Sequence, residues 1–252
     1  MFRRSLRLTL AVLVGAAITA SLAGSTLAAQ VDPAAGPPCK FKTELLDGGA
    51  VPLKDAAIIT HPDCGYRYRA GQQNSHLVVT VVKNGLRFTD THTARFERLA
   101  PACREIRRVK VGVAAVCRVP GTVSARRPLL IEVWPRLGDD FVDGSSLSAS
   151  FAMAVLGDAG NDVALLGAGP DFFNGAFGRD DVRGGAGADW LRTGDDHDHF
   201  RGDAGNDYLV GGDGPDTISG GKGHDQVYCG NGVDTASVDG ADTVRLCERT
   251  HH

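Results

Sequence analysis

Residues 157–237 read, without a gap, GDAGNDVAL LGAGPDFFN GAFGRDDVR GGAGADWLR TGDDHDHFR GDAGNDYLV GGDGPDTIS GGKGHDQVY CGNGVDTAS. One nine-residue unit is written nine times. The sixth position is Asp in every unit: Asp162, Asp171, Asp180, Asp189, Asp198, Asp207, Asp216, Asp225 and Asp234. The fourth is Gly in eight units, Asp196 being the exception. The eighth is always apolar: Ala164, Phe173, Val182, Leu191, Phe200, Leu209, Ile218, Val227 and Ala236. A strict period of this kind marks a stacked-repeat architecture, in which no unit buries its apolar face alone.

The residue types suit such a stack. Six residues of each unit are expected to turn and three to form a short strand. Glycine reaches positive φ at little cost and lets backbone carbonyls approach an ion. The eighth residue points inward and builds a thin shared core. Successive units alternate between the two sides of the solenoid, so unit n stacks on unit n+2 at about 4.8 Å. This gives two carboxylate ladders, one of Asp162, Asp180, Asp198, Asp216 and Asp234, the other of Asp171, Asp189, Asp207 and Asp225. Two carboxylates about 5 Å apart repel by roughly 3 kcal/mol at an effective dielectric of about 20, so the ladders call for a cation. Residues 157–237 hold fifteen Asp and no Glu against four Arg and one Lys, a net charge of −10. Carboxylate and carbonyl oxygens suit calcium, while magnesium demands tighter octahedral geometry.

The motif G-G-x-G-x-D-x-U-x is the established signature of calcium-binding parallel β-helix repeats. On it, the chain resembles the hemolysin-type (RTX) calcium-binding nonapeptide-repeat family over about a third of its length. The resemblance implies an all-β fold built on a parallel β-roll, with each Ca2+ between stacked turns, held by two Asp side chains and turn carbonyls. Five rungs leave four gaps and four leave three, so up to about seven ions. The best-formed turns are GGAGAD (Gly184, Gly185, Gly187), GGDGPD (Gly211, Gly212, Gly214) and GGKGHD (Gly220, Gly221, Gly223). Elsewhere Leu166, Thr193 and Cys229 replace the first Gly, and Asp158, Ala176 and Asp203 the second. More loosely, residues 66–156 resemble the leader region of secreted calcium-binding proteins from Gram-positive bacteria.

Residues 1–29 read as a secretory signal. Arg3, Arg4 and Arg7 precede a mostly apolar Leu8–Ala23 run, with cleavage expected after Ala28 or Ala29. Sixteen residues are short for a span, so no membrane span is expected after cleavage. Residues 30–136 form a β-rich region: HLVVTVV and LRFTDT flank the turn Lys83-Asn84-Gly85, and two further strands and RRPLLIEVW follow. The roll is expected over 137–237. Its first turn is the degenerate LGDDFVDGSS, where Gly138, Asp140 and Val142 fall at positions four, six and eight, and SLSASFAMAVL bridges into the array as one longer strand. Residues 238–252 form a C-terminal cap that echoes the pattern at Asp242-Thr243-Val244. No long C-terminal export segment follows, which points to the general secretory route. Six cysteines in an exported chain read as disulfides. Fifteen pairings are open, and proximity suggests Cys39–Cys64, Cys103–Cys117 and Cys229–Cys247.

Between Gln30 and Pro135 sixteen Lys and Arg face nine Asp and Glu, a net charge of +7. These cations are scattered and interleave no aromatic patch, so a solvated face or a basic cap complementing the acidic repeats accounts for them better than nucleic-acid binding. A cell-surface or cell-wall polymer remains as a partner expectation. No H-E-x-x-H, G-x-S-x-G, Walker or dinucleotide motif is present. His197 and His199 are read as fillers of variable repeat positions, and Phe172, Phe173, Trp190 and Tyr208 as solenoid walls. The reading is a secreted, extracellular, non-enzymatic calcium-binding protein with a structural or adhesive role. The alternative is a calcium-dependent secreted enzyme or toxin with its activity in the N-terminal region.

Overall fold

The computed structural model describes residues 56–61, 65–71, 74–83, 85–106 and 111–251. The signal segment and the Cys39–Cys64 pairing lie outside them. The described residues form β-strands and no helix. The N-terminal strands are β1 (Ala56–Thr60), β2 (Gly65–Arg69), β3 (His76–Val82), β4 (Gly85–Asp90), β5 (Arg95–Arg98), β6 (Cys103–Glu105), β7 (Val113–Cys117) and β8 (Leu129–Trp134). Next come β9 (Phe141–Asp143), β10 (Phe151–Ala159), β11 (Val163–Leu165), β12 (Phe172–Phe177), β13 (Asp181–Ala186), β14 (Trp190–Asp195) and β15 (His199–Ala204). The chain ends with β16 (Tyr208–Asp213), β17 (Thr217–Lys222), β18 (Gln226–Asn231), β19 (Thr235–Ser237), β20 (Thr243–Arg245) and β21 (Arg249–His251).

From β8 onward the strands alternate between two sheets. Even-numbered strands line one and odd-numbered strands the other, every neighbour parallel. The register step is eighteen residues: Phe173 pairs with Leu191 and Leu191 with Leu209 in the even sheet, Val182 with Phe200 and Phe200 with Ile218 in the odd. This is the expected parallel β-solenoid, with unit n on unit n+2.

The regular strands are six residues long, where the sequence suggests three. Positions seven to nine pair as expected, and pairing then resumes at positions two and three, as in Ala176↔Gly194 and Phe177↔Asp195. Position one drops out of the ladder. Position two takes positive φ, which bends the chain while keeping it alongside its neighbour. The bend survives without glycine: Asp158, Ala176 and Asp203 sit there at φ 74°, 79° and 70°. A left-handed non-glycine residue costs roughly 1–2 kcal/mol, so stacking above and below outweighs the local preference. Arg136, at φ 81°, holds the same place in the degenerate first unit, and Gly138 follows at φ 120°.

The eighth-position residues form the core, each 0–1% exposed. Of the four aromatics assigned to the solenoid walls, only Phe173 lies inside. Phe172 and Tyr208 are half-buried on the outer face of the even sheet, and Trp190 is exposed there. Strands alternate in and out, so positions seven and nine face away from the core that position eight fills.

Both sheets continue through residue 137 into the N-terminal strands. β2 pairs in parallel with β8 and β3 with β9, after which the sheets go on through the antiparallel pairs β1–β2, β3–β4, β4–β7 and β6–β7, with β5 closing the even sheet in parallel beside β1. Tyr66, Tyr68 and Phe88, all fully buried, plug this end of the core. β3 and β4 are the expected hairpin around Lys83-Asn84-Gly85, closing at Val82↔Gly85. Cys103 and Cys117 sit opposite each other on β6 and β7 and are bonded, and Cys229 on β18 is bonded to Cys247 beyond β20. The two pairings expected within the described residues are both present.

Phe200 is central and fully buried. Phe200→Ala should lower unfolding free energy by about 3–5 kcal/mol, read by denaturant titration of the calcium-loaded protein. A loss under about 1 kcal/mol would contradict the inward placement of position eight.

Candidate metal centres

Each unit's turn delivers its sixth-position Asp back beneath position one of the same turn. All nine of these carboxylates are 0–3% exposed. One oxygen of each is spent on the stack. Asp162 N–H donates to Asp180 Oδ1 at 2.9 Å, Asp180 to Asp198 at 2.8 Å, Asp198 to Asp216 at 3.0 Å and Asp216 to Asp234 at 2.9 Å. On the other side Asp171 donates to Asp189 at 2.8 Å, Asp189 to Asp207 at 2.9 Å and Asp207 to Asp225 at 2.9 Å. The structure therefore builds the two ladders expected from the sequence.

The second oxygen is different. Oδ2 of Asp162, Asp180, Asp189, Asp198, Asp207, Asp216, Asp225 and Asp234 is buried with no hydrogen-bond donor among the described residues. A buried Asp can be satisfied in this protein. Asp90, 1% exposed, accepts from His76 N–H at 3.1 Å and His92 N–H at 2.9 Å on one oxygen, and from Thr93 Oγ1 at 2.7 Å and Tyr68 OH at 2.5 Å on the other. An unpaired buried carboxylate oxygen is costly unless a proton or a cation meets it.

The glycines explain how the oxygens are housed. Position one points inward, and a Cβ at Gly184 would come within 2.5 Å of Asp189 Oδ2 and 2.8 Å of the Gly202 carbonyl oxygen. Gly211 and Gly220 leave the same space beside Asp216 and Asp225. Gly185, Gly212 and Gly221 supply the positive φ of position two, and Gly187, Gly214 and Gly223 that of position four. Where position one carries a side chain, the cradle changes. Leu166 is buried there, and Asp171 Oδ2 instead accepts from Gly167 N–H at 2.8 Å. Thr193 turns its hydroxyl to the Gly211 carbonyl oxygen at 3.5 Å, and Cys229 carries the terminal disulfide.

Three further acidic residues extend the ladders. Asp140, 2% exposed with an unpaired Oδ2, donates its N–H to Asp162 Oδ1 at 2.9 Å and accepts from Ser75 N–H. Asp242 Oδ1 accepts from Asp225 N–H at 2.9 Å, and Glu248 Oε2 from Asp234 N–H at 3.1 Å. Asp140 and Asp242 stood at the sixth position of degenerate units. Glu248 had no such signal, because Leu246-Cys247-Glu248 replaces a six-residue turn with three residues. Among the described residues no three His, Cys, Asp or Glu side chains converge, and His199 meets only Asp181, at 3.3 Å. A cation would therefore be held by paired carboxylates and backbone carbonyls. This all-oxygen donor set fits calcium.

Burial is the first cause of a raised carboxyl pKa throughout. It pushes Asp180 and Asp189 up to about 8, with the charges of Asp162 and Asp171 respectively adding to it, and Asp207 and Asp216 up to about 7. Asp162 reaches about 6. Asp198, Asp225 and Asp234 are also raised, each by burial. An unfolded Asp titrates near about 3.9. Without a cation, the folded form thus keeps protons that the unfolded form releases between about pH 4 and 8, and stability falls as pH rises across that window. In chelator, the melting temperature should be higher at pH 5 than at pH 8. The reverse order would contradict the buried ladders. Gly184→Ala should remove bound calcium from one turn and raise the calcium midpoint of folding severalfold. Gly121→Ala, with nothing within 4 Å of the added Cβ, should leave both unchanged in calorimetric titration.

The profile of the RTX calcium-binding nonapeptide repeat, in four copies, matches residues 156–191, 174–209 and 201–236. No curated protein and no solved structure matches the chain. The matched residues coincide with the two ladders, their orphaned oxygens and their glycine cradles. Residues 156–236 are RTX calcium-binding nonapeptide repeats, so about a third of the chain is an array of this repeat class.

Proposed function

We propose that this is a secreted, non-enzymatic protein whose roll is folded by extracellular calcium and serves a structural or adhesive role. The observation that carries the calcium-folding part is the row of buried, donor-less Oδ2 atoms. In eight of the nine units the chain commits one carboxylate oxygen to an amide and leaves the other facing a carbonyl-lined turn. Bound calcium supplies the positive charge that this arrangement lacks. In its absence the chain must either protonate the ladder or separate the carboxylates, so at neutral pH the repeats are expected to unfold. In millimolar external calcium, even sites of roughly 10⁻⁴ M affinity would be filled.

The extracellular part rests on the N-terminal signal pattern of residues 1–29, on paired cysteines, and on the resemblance to a repeat class that is typically extracellular. Disulfides persist in oxidising compartments. The non-enzymatic part is the reading of a groove in the N-terminal cap whose lining among the described residues is Lys83, Arg104 and Arg118 with Val82, Val119 and Phe151. The same cations are where an anionic cell-wall polymer would first be sought.

The test is a calcium titration of the oxidised chain by far-UV circular dichroism, with magnesium as control and calorimetry for stoichiometry. A cooperative gain of β signal with calcium alone, saturating at several and up to about seven ions, is expected. An unchanged spectrum after exhaustive chelation at pH 7.5 would sink the calcium-folding proposal.

A further inference from the structure

The two outer sheet faces of the roll differ. On the even sheet, position seven carries Phe172, Trp190 and Tyr208 in register on β12, β14 and β16. Their rings stand edge to face, with centroids 5.5 Å and 5.8 Å apart at 88° and 90°. Tyr228, at position nine of β18, continues the row 5.2 Å from Tyr208, and Arg245 lies over its ring at 5.7 Å. Arg192 stands exposed beside Trp190, which is itself 48% exposed. On the odd sheet the same repeat position holds Asp181, His199, Thr217 and Thr235. Cross-strand ring contacts stabilise a stack; the odd sheet has one at its N-terminal end, where Phe141 meets His76 at 4.5 Å, whereas the even sheet runs them through three consecutive regular units. Moreover, no acidic residue faces outward from β12, β14, β16, β18 or β20 at positions seven and nine, in a segment with fifteen Asp. Shape stability alone does not account for an exposed tryptophan on an acid-free strip.

We propose that this strip, Phe172, Trp190, Tyr208 and Tyr228 flanked by Arg192 and Arg245, binds a linear glycan laid along the roll axis. The strip is roughly 20 Å long and two side chains wide, on the order of 200 Å², well short of the roughly 800 Å² per partner of a stable protein interface. Its shape fits one extended polymer chain. A single-stranded nucleic acid also stacks on rings, but it needs a positively charged groove along its backbone, and this strip is a sheet face with two arginines, Arg192 and Arg245, rather than a basic groove. A pyranose presents an apolar C–H face to the negative face of an aromatic ring and hydroxyls at its rim. The rings provide the first contact. Arg192 and the amides of Asn174 and Gln226 on the same face provide the second. Edge-to-face packing holds the rings in place before the ligand arrives, which lowers the ordering cost of binding.

The inference rests on the calcium-folded roll proposed above, so folding is scored first, by circular dichroism of the full chain in millimolar calcium. Binding is then titrated with cellohexaose and xylohexaose as neutral probes and a galacturonate hexamer as an acidic one, read by tryptophan fluorescence and calorimetry. Saturable binding of at least one probe is expected. Trp190→Ala should weaken it at least tenfold, Arg192→Glu severalfold, and His199→Ala, on the opposite sheet, less than twofold, all with wild-type dichroism. A folded protein that binds none of the three probes overturns the proposal. So does equal weakening by His199→Ala, or a Trp190-dependent dimer in sedimentation, which would make the strip a self-association face.

Discussion

The rest of the structure depends on a half-satisfied carboxylate repeated every nine residues. Every ladder Asp except Asp171 gives one oxygen to the amide of the Asp one turn below it and keeps the other buried and unpaired. The amide bond fixes the eighteen-residue register, since a slip would strand both groups. The unpaired oxygen makes the fold conditional, because removing a charged oxygen from water without a partner is among the costlier things a protein can do. The contrast with Asp90, buried as deeply but met on both oxygens, shows that burial alone does not leave an Asp exposed to this cost. The ladder turns leave donors out of reach of Oδ2 and surround it with carbonyls.

A stack so built needs ends. At the N-terminal end the two sheets are continued by β2 and β3 and then turned back on themselves by antiparallel pairing, with Tyr66, Tyr68 and Phe88 filling the core where no further unit follows. At the C-terminal end the regular turn gives way to a shortened one. Cys229 occupies an inward position that would otherwise be a glycine, and its bond to Cys247 draws β20 and the Glu248 carboxylate onto the last regular rungs. Polar and covalent caps of this kind shield the open edges of repeat proteins.

The repeat also separates its tasks by position. Positions one, two, four and six belong to the cation-binding turn, and position eight to the core. Positions seven and nine are left free to vary because they face solvent. On the odd sheet the regular units fill that freedom with Asp181, His199, Thr217 and the arginines Arg183 and Arg201, and on the even sheet with a continuous row of rings beside Arg192 and Arg245. Surface chemistry can thus be written onto the roll without disturbing what folds it.

The sequence by itself determined the all-β class, the nine-residue period, the two Asp ladders and the inward eighth position, because each follows from a spacing that only one stacking satisfies. It also showed Asp140 and Asp242 at the right offsets in degenerate units, and two of the cysteine pairs by proximity. Only the tertiary structure decided the rest. The strands reach six residues because neighbours above and below hold Asp158, Ala176 and Asp203 at a positive φ that their own chemistry disfavours. Asp171 loses its cradle because the side chain of Leu166 turns inward. Glu248 joins a ladder because the three-residue final turn, tied to β18 through Cys247, brings its carboxylate to the Asp234 amide. Phe172, Trp190 and Tyr208 face outward, where composition alone suggested walls, because alternation about a fixed eighth position leaves the seventh no other direction. For the strand length and for Glu248 the decisive contact comes from a residue a full turn away, which a local reading of the chain does not contain.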